Sequence, residues 1–116
     1  MPTNPRILKM TFASVYPLYL AKVERKNRSQ AELDQVILWL TGLSQETLAN
    51  FIASRATFPE FFKACTLNPK SDTITGSICG VKVQEIQDPL MKQIRLLDKV
   101  VDELARGWSL EKIMRT

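Results

Sequence analysis

Histidine is absent from this sequence of 116 residues. That removes the commonest general base at neutral pH, every triad built on an imidazole, and the zinc sets that contain histidine. Cysteine occurs twice, as Cys65 and Cys79. One bridge at most could form, and a domain of this length can build a core without it, so both are expected to be thiols in a reducing compartment. Long apolar runs are also missing. Val36 to Leu40 is short, and Phe12 to Val23 is interrupted by Ser14, Pro17 and Lys22, so neither approaches the roughly 20 residues of a membrane span. The opening Met1-Pro2-Thr3-Asn4-Pro5-Arg6 lacks the basic, apolar and small-residue order of a secretory signal. These absences point to a cytoplasmic chain that does not enter a membrane.

What is present is ordinary globular composition, 45% apolar and 24% charged, well away from the regime in which ordering entropy defeats burial. One domain over residues 1–116 is expected, since a single core usually organises roughly 100–150 residues. Sixteen Lys and Arg against twelve Asp and Glu leave a formal charge of +4. So small an excess disfavours nucleic acid as a partner, because phosphate contact draws on several clustered cations.

Residues 1–10, with two prolines and few packing side chains, read as an extended N-terminal arm. A first helix is expected from a Ser14 cap to about Lys26, with Pro17 in its first turn and Asn27-Arg28 reversing the chain. Ser29 and Glu32 form a capping box for a second helix that carries Leu33, Val36, Ile37 and Leu40 and stops at Gly42. Ser44 opens a third helix with Leu48, Phe51 and Ile52 on one face, and Thr57 with Glu60 opens a short fourth. Asp88-Pro89 starts a fifth, along which Leu90, Ile94, Leu97, Val101, Leu104 and Trp108 recur at steps of four and three. Gly107 stops it, and Ser109 can cap a last turn. The fold class is therefore mainly α: a compact bundle of about five helices with a short irregular or β segment near residues 74–83, where β-branched residues and two glycines break the helical pattern.

Several separated segments carry a family likeness. They are Phe12-Ala13-Ser14-Val15-Tyr16-Pro17, Trp39-Leu40-Thr41-Gly42 with Ser44-Gln45-Glu46, Ile74-Thr75-Gly76 leading to Cys79-Gly80-Val81, Asp88-Pro89-Leu90-Met91, and Ile94 to Lys99 continuing into Asp102-Glu103-Leu104-Ala105. In this order and spread, from about Phe12 to Gly107, the chain resembles the bacterial family called domain of unknown function 2200. The resemblance implies no activity and carries over no catalytic residue.

No complete catalytic set can be assembled, so the leading expectation is a non-enzymatic binding or protein-interaction domain without a cofactor or metal. Its small-molecule ligand, if any, is not named by the sequence. The first alternative is a helix-turn-helix reader of nucleic acid, in which Gln45, Thr47 and Asn50 face base edges and Arg55 a phosphate; Glu46 and the single cation count against it. The second alternative is a small enzyme using Cys79 with Lys82 as the neighbouring cation. Gly76 to Lys82 fails as a phosphate loop, with three residues between its glycines and Val81 after the second. Tyr16, Thr75, Cys79 and Lys82 are the candidate pocket. Asp98, Asp102 and Glu103, within helical reach of Arg95 and Lys99, are expected to be solvated pairs. Leu90, Ile94, Leu97, Val101 and Leu104 form a candidate seam for a homodimer, should the monomer fail to cover them.

Overall fold

The structure, a computed structural model, describes residues 8–78 and 80–115. The helices are α1 (Phe12–Glu24), α2 (Gln30–Thr41), α3 (Gln45–Ala53), α4 (Phe58–Lys63), α5 (Pro89–Ala105) and α6 (Leu110–Ile113). Two 3-10 turns, Pro69–Thr73 and Val83–Glu85, flank a minimal hairpin of β1 (Ser77–Ile78) and β2 (Val81–Lys82). The strands are antiparallel, with Ser77 opposite Lys82 and Ile78 opposite Val81. The predicted bundle is thus the observed one, and the ambiguous stretch resolves as short β.

Local chemistry sets most boundaries. Ser29 accepts from the Glu32 amide while Glu32 reaches back to the Ser29 N–H, and Thr57 with Glu60 repeats the arrangement. Ser44, Asp88 and Ser109 each accept from an amide of the first turn, satisfying donors that a helix start leaves orphaned. Gly42 ends α2 in the left-handed conformation at φ +71°. A Cβ there would meet the Thr66 carbonyl oxygen at 2.7 Å, because residues 66–68 run back along the helix end and donate from Thr66 N to Thr41 O and from Asn68 N to Leu40 O. The close approach that glycine permits is what satisfies those carbonyls.

The first helix begins earlier than its sequence suggests. Thr11 is the cap, accepting from the Ser14 amide, so Ser14 lies in the first turn and Pro17 well inside the helix. What overrides the local signal is tertiary pairing. Thr11 bridges Thr57 across the molecule, with Phe12 N donating to Ala56 O and Phe58 N to Met10 O, so the entries to α1 and α4 are zipped together. All five phenylalanines meet behind this bridge: Phe12 stacks on Phe61 at 4.2 Å, Phe51 and Phe62 present edges to Phe61, and Phe58 lies against Phe62. Residues 1–7 of the expected arm lie outside the described residues, and Leu8 and Lys9 are helical.

Helix α5 is the centre of the molecule. It packs against α1, α2, α4, α6, the hairpin and the second 3-10 turn. Leu97, Val101 and Leu104 are fully buried and Ile94 nearly so, which places the candidate dimer seam inside the chain's own core; only Leu90 at its start is partly accessible. The helix is not a two-faced surface helix, because Leu96, Val100 and Ala105 on its other sides are buried too.

This enclosure corrects the expectation of solvated charges. Asp102 and Lys99 are each 8% exposed, and Glu103 is completely buried. Arg115 grips Glu103 in a fork, Nη1 to Oε1 at 2.8 Å and Nη2 to Oε2 at 3.0 Å. Asp102 pairs with Lys22 at 3.2 Å and with Arg106 Nε at 2.8 Å, the latter through Oδ2 and out of line for a hydrogen bond. Asp98, at the more open end, pairs with Arg95. Lys99, Asp102 and Glu103 go inside because residues 99–105 are buried on every face of the helix, and each finds a counter-charge from another turn or element.

Removing Glu103 would leave the Arg115 guanidinium without its acid in the interior. We expect Glu103→Ala to lower unfolding stability by about 3–5 kcal/mol, the usual consequence of breaking a buried pair from one side. Urea denaturation measures it, and a loss under about 0.5 kcal/mol, the scale of an ordinary surface substitution, would refute the interior placement.

Candidate functional site

A cleft of about 170 Å³ opens between α1 and α5. Its floor is apolar, formed by Val15, Phe58 and Ile94, all buried, with the more accessible Met10 and Met91 at its edges. Tyr19, Asp98 and Arg95 make one polar wall. The helical phase explains the meeting: Val15 and Tyr19 are one turn apart on α1, and Met91, Ile94, Arg95 and Asp98 follow at steps of three, one and three on α5. Phe58 reaches the floor because the bridge from Thr11 to Thr57 holds the start of α4 there.

The polar wall is hydrogen-bonded along one line. Tyr19 donates its hydroxyl proton to Asp98 Oδ1, and Arg95 Nη1 donates to Asp98 Oδ2 at 3.2 Å. Burial pushes the Tyr19 phenol well above its ordinary value, helped by the negative charge of Asp98 and the hydrogen bond to it. The phenol is therefore a fixed donor at neutral pH. Arg95 spends one donor of its fork on Asp98, and the remainder is directed by a side chain that is 27% exposed.

A second concavity, shallow and wide at about 480 Å³, is lined by Gln30, Ala31, Asp34, Gln35, Leu38 and Gln45. Behind it Tyr16 donates to Asp34 and accepts from Gln30 Nε2 at 3.1 Å. Its phenol is pushed up to about 12, first by burial and then by the Asp34 hydrogen bond. Gln30, Gln35 and Gln45 are exposed along it.

The residues singled out from sequence are dispersed. Tyr16 is buried and tied to α2, whereas Thr75 and Lys82 are exposed on and beside the hairpin that packs on α5. Cys79 lies outside the described residues. The described members of that candidate pocket therefore do not converge. Gln45, Asn50 and Arg55 are exposed, while Thr47 is half-buried and accepts a hydrogen bond from the Ser44 hydroxyl. Gln45 and Asn50 stand five residues apart, about 140° around the helix at 3.6 residues per turn, so they do not share a reading face. Cys65 donates to the Phe61 carbonyl, and burial pushes its thiol up to about 12, which keeps it unreactive at neutral pH. The described residues contain no cluster of three or more metal-ligating side chains.

Sequence reading passed over the cleft because its parts look structural in isolation. Arg95 and Asp98 are an ordinary pair at i, i+3, and Met10 and Met91 carry no motif. The pairing of Tyr19 with Asp98 spans 79 positions, a separation that no periodicity reports.

Tyr16 and Tyr19 are the only tyrosines, so absorbance near 295 nm follows both phenols together. Because their folded pKa values lie above the ordinary 10, the stability they contribute is intact below pH 10 and declines as pH rises past it, where the unfolded chain ionises first. We expect no tyrosinate signal at pH 10 in the folded protein, with Tyr16 ionising only near pH 12 and Tyr19 only well above the ordinary phenol range or on unfolding. Half-ionisation at about pH 10 with the fold intact would contradict the burial of both hydroxyls.

Comparison with known proteins adds family and fold. A family model described as an uncharacterized protein conserved in bacteria, DUF2200, matches residues 6–115. A crystal structure of the uncharacterized protein SP1917 is similar at 38% identity with a TM-score of 0.89, covering 99% of this chain and 95% of that one. The comparison with curated proteins finds no match. With nearly its whole length matched, the chain belongs to the DUF2200 family of bacterial proteins.

Proposed function

We propose that this protein is a non-enzymatic binding domain whose working surface is the cleft between α1 and α5, and that its occupant is an apolar side chain of a protein partner next to an acidic group. The observation that carries this reading is the juxtaposition of an apolar floor with an Arg95 guanidinium at its wall. A volume of about 170 Å³ suits one large side chain, since a 150 Å³ apolar cavity holds a benzene-sized group. Arg95 is the group that would select a carboxylate beside that anchor.

Catalysis is disfavoured by the same chemistry. The Tyr19 proton is held too tightly to leave at neutral pH, and the half-buried Cys65 thiol stays protonated there, so neither is poised for transfer or attack. A reader of nucleic acid is disfavoured by the divergence of Gln45 and Asn50. A second copy docking through the α5 seam is disfavoured because Leu97, Val101 and Leu104 are already covered. No helix among the described residues is long and apolar enough to cross a membrane, and a free thiol at Cys65 suits a reducing cytoplasm.

Methionine methyl groups supply the test. Met10 and Met91 line the cleft, while Met114 caps α6 on another part of the molecule. Burying one apolar side chain is worth roughly 1.5–3 kcal/mol, so an isolated probe will bind at about millimolar Kd or weaker. Titrating 3-phenylpropionate into methyl-labelled protein should move the Met10 and Met91 resonances saturably and leave Met114 in place. The neutral 3-phenylpropanamide should bind more weakly, and Arg95→Gln should erase that difference. Equal movement of all methyls, or none, would overturn the proposal.

A further inference from the structure

Asp34 is a half-buried carboxylate that, among the described residues, enters no ion pair. Glu32, Asp98 and Asp102 by contrast each meet an arginine. What Asp34 has instead is a phenol. Tyr16 donates its hydroxyl proton to Asp34 Oδ1 and accepts from Gln30 Nε2 at 3.1 Å, so one carboxylate oxygen is spent and the negative charge is left without a cation. Oδ2 has no hydrogen-bond partner among the described residues, and Asp34 lines the wide concavity on α2.

The rest of that lining suits a positive group. Gln30, Asp34 and Leu38 follow at steps of four along α2, with Ala31 and Gln35 beside them on the same face and Gln45 joining from the first turn of α3. The carboxamides of Gln35 and Gln45 make no hydrogen bond among the described residues, and Gln30 spends only its Nε2. Their carbonyl oxygens therefore stand with Asp34 Oδ2 as open acceptors. Neither lysine nor arginine lines the concavity. An anion there would face the Asp34 charge with nothing to offset it. Ala31 and Leu38 add apolar surface between the polar groups.

We propose that this concavity binds a small aliphatic amine, with the primary ammonium on Asp34 Oδ2 and the carboxamide oxygens and the methylene stem along Ala31 and Leu38. An ammonium carries three donors and no acceptor, which matches one open carboxylate oxygen among carbonyls. A guanidinium fork fits less well, because its two parallel bonds need both carboxylate oxygens and Oδ1 already holds the phenol. The stem gains from apolar contact while its charged end stays among polar groups. A volume of about 480 Å³ falls among those of small-molecule sites, roughly 300–1,000 Å³, which favours a whole free amine over a single lysine side chain of a partner. This site is separate from the α1–α5 cleft, and its failure would leave the reading of that cleft untouched.

Butylamine is the probe, titrated at constant ionic strength set with potassium chloride, with butanol and N-acetyl-lysine methylamide in parallel arms. The side-chain amide resonances of Gln30, Gln35 and Gln45 report binding, and that of Gln84, which accepts from Gly76 beside the hairpin, serves as the control. Butylamine should move the first three saturably and leave Gln84 in place, butanol should not, and the lysine derivative should bind no more tightly than butylamine. Asp34→Asn keeps an acceptor for the Tyr16 phenol, removes the charge and should weaken butylamine binding about tenfold or more, as expected for loss of a charge-assisted hydrogen bond. Gln35→Ala, an exposed change, should weaken it by a smaller factor and decides the matter if the first variant does not fold. Unchanged binding in these variants, an equal response to butanol, tighter binding of the lysine derivative, or a wild-type response no larger than that to potassium chloride would overturn the site.

Discussion

A completely buried glutamate can exist in this molecule only because an arginine 12 residues further along comes back to meet it. Glu103 is on the central helix, and Arg115 follows the short α6 whose Ile113 is itself fully buried. The fork of two hydrogen bonds satisfies both carboxylate oxygens, which a single lysine could not do. Everything outside α5 is arranged with respect to a helix whose interior charges must be met. Lys22 of α1 reaches Asp102, Arg106 closes the same carboxylate from the helix end, and Arg28 in the turn between α1 and α2 donates to the Trp108 carbonyl at 2.9 Å. Lys112 of α6 then lies over the Trp108 ring at 4.1 Å, so the C-terminal turn is fastened by charge, by a ring face and by apolar burial together.

The architecture was legible wherever it is written locally. Capping boxes at Ser29 and Thr57, the proline after Asp88, and Gly42 each act within a few residues, and each stands where the pattern placed it. The elements that escaped are those set by distant partners. Thr11 rather than Ser14 begins α1 because the Thr57 segment pairs with it, and that pairing outweighs the local preference of a serine. The alternation of three and four along α5 indicated a narrow apolar stripe, yet residues 99–105 are buried on every face of the helix. Periodicity reports which residues are apolar; it cannot report that polar ones will be buried with their counter-charges.

The same division governs the site. Tyr16 was visible as a candidate pocket residue, and Asp98 as a charge beside Arg95, but their chemistry comes from contact. Tyr19 meets Asp98 from another helix and Tyr16 meets Asp34 from a third. Both phenols are thereby fixed as donors, one facing an apolar cleft and the other behind a shallow polar depression. An isolated carboxylate at i, i+3 from an arginine gives no hint that a buried phenol will be its second partner. Lys99 is a similar case: its position opposite Gly76 depends on a hairpin that returns from outside the helix.

A double-mutant cycle on Glu103→Gln and Arg115→Met addresses the enclosure of α5 most directly, because it isolates the energy the two side chains share from what each contributes alone. If the pair lies in the interior with both oxygens held, the coupling should be about 2 kcal/mol or more in urea denaturation. Additive effects, to within about 0.5 kcal/mol, would mean that the two groups do not meet in the folded protein and that the central helix is not closed by its C-terminal turn.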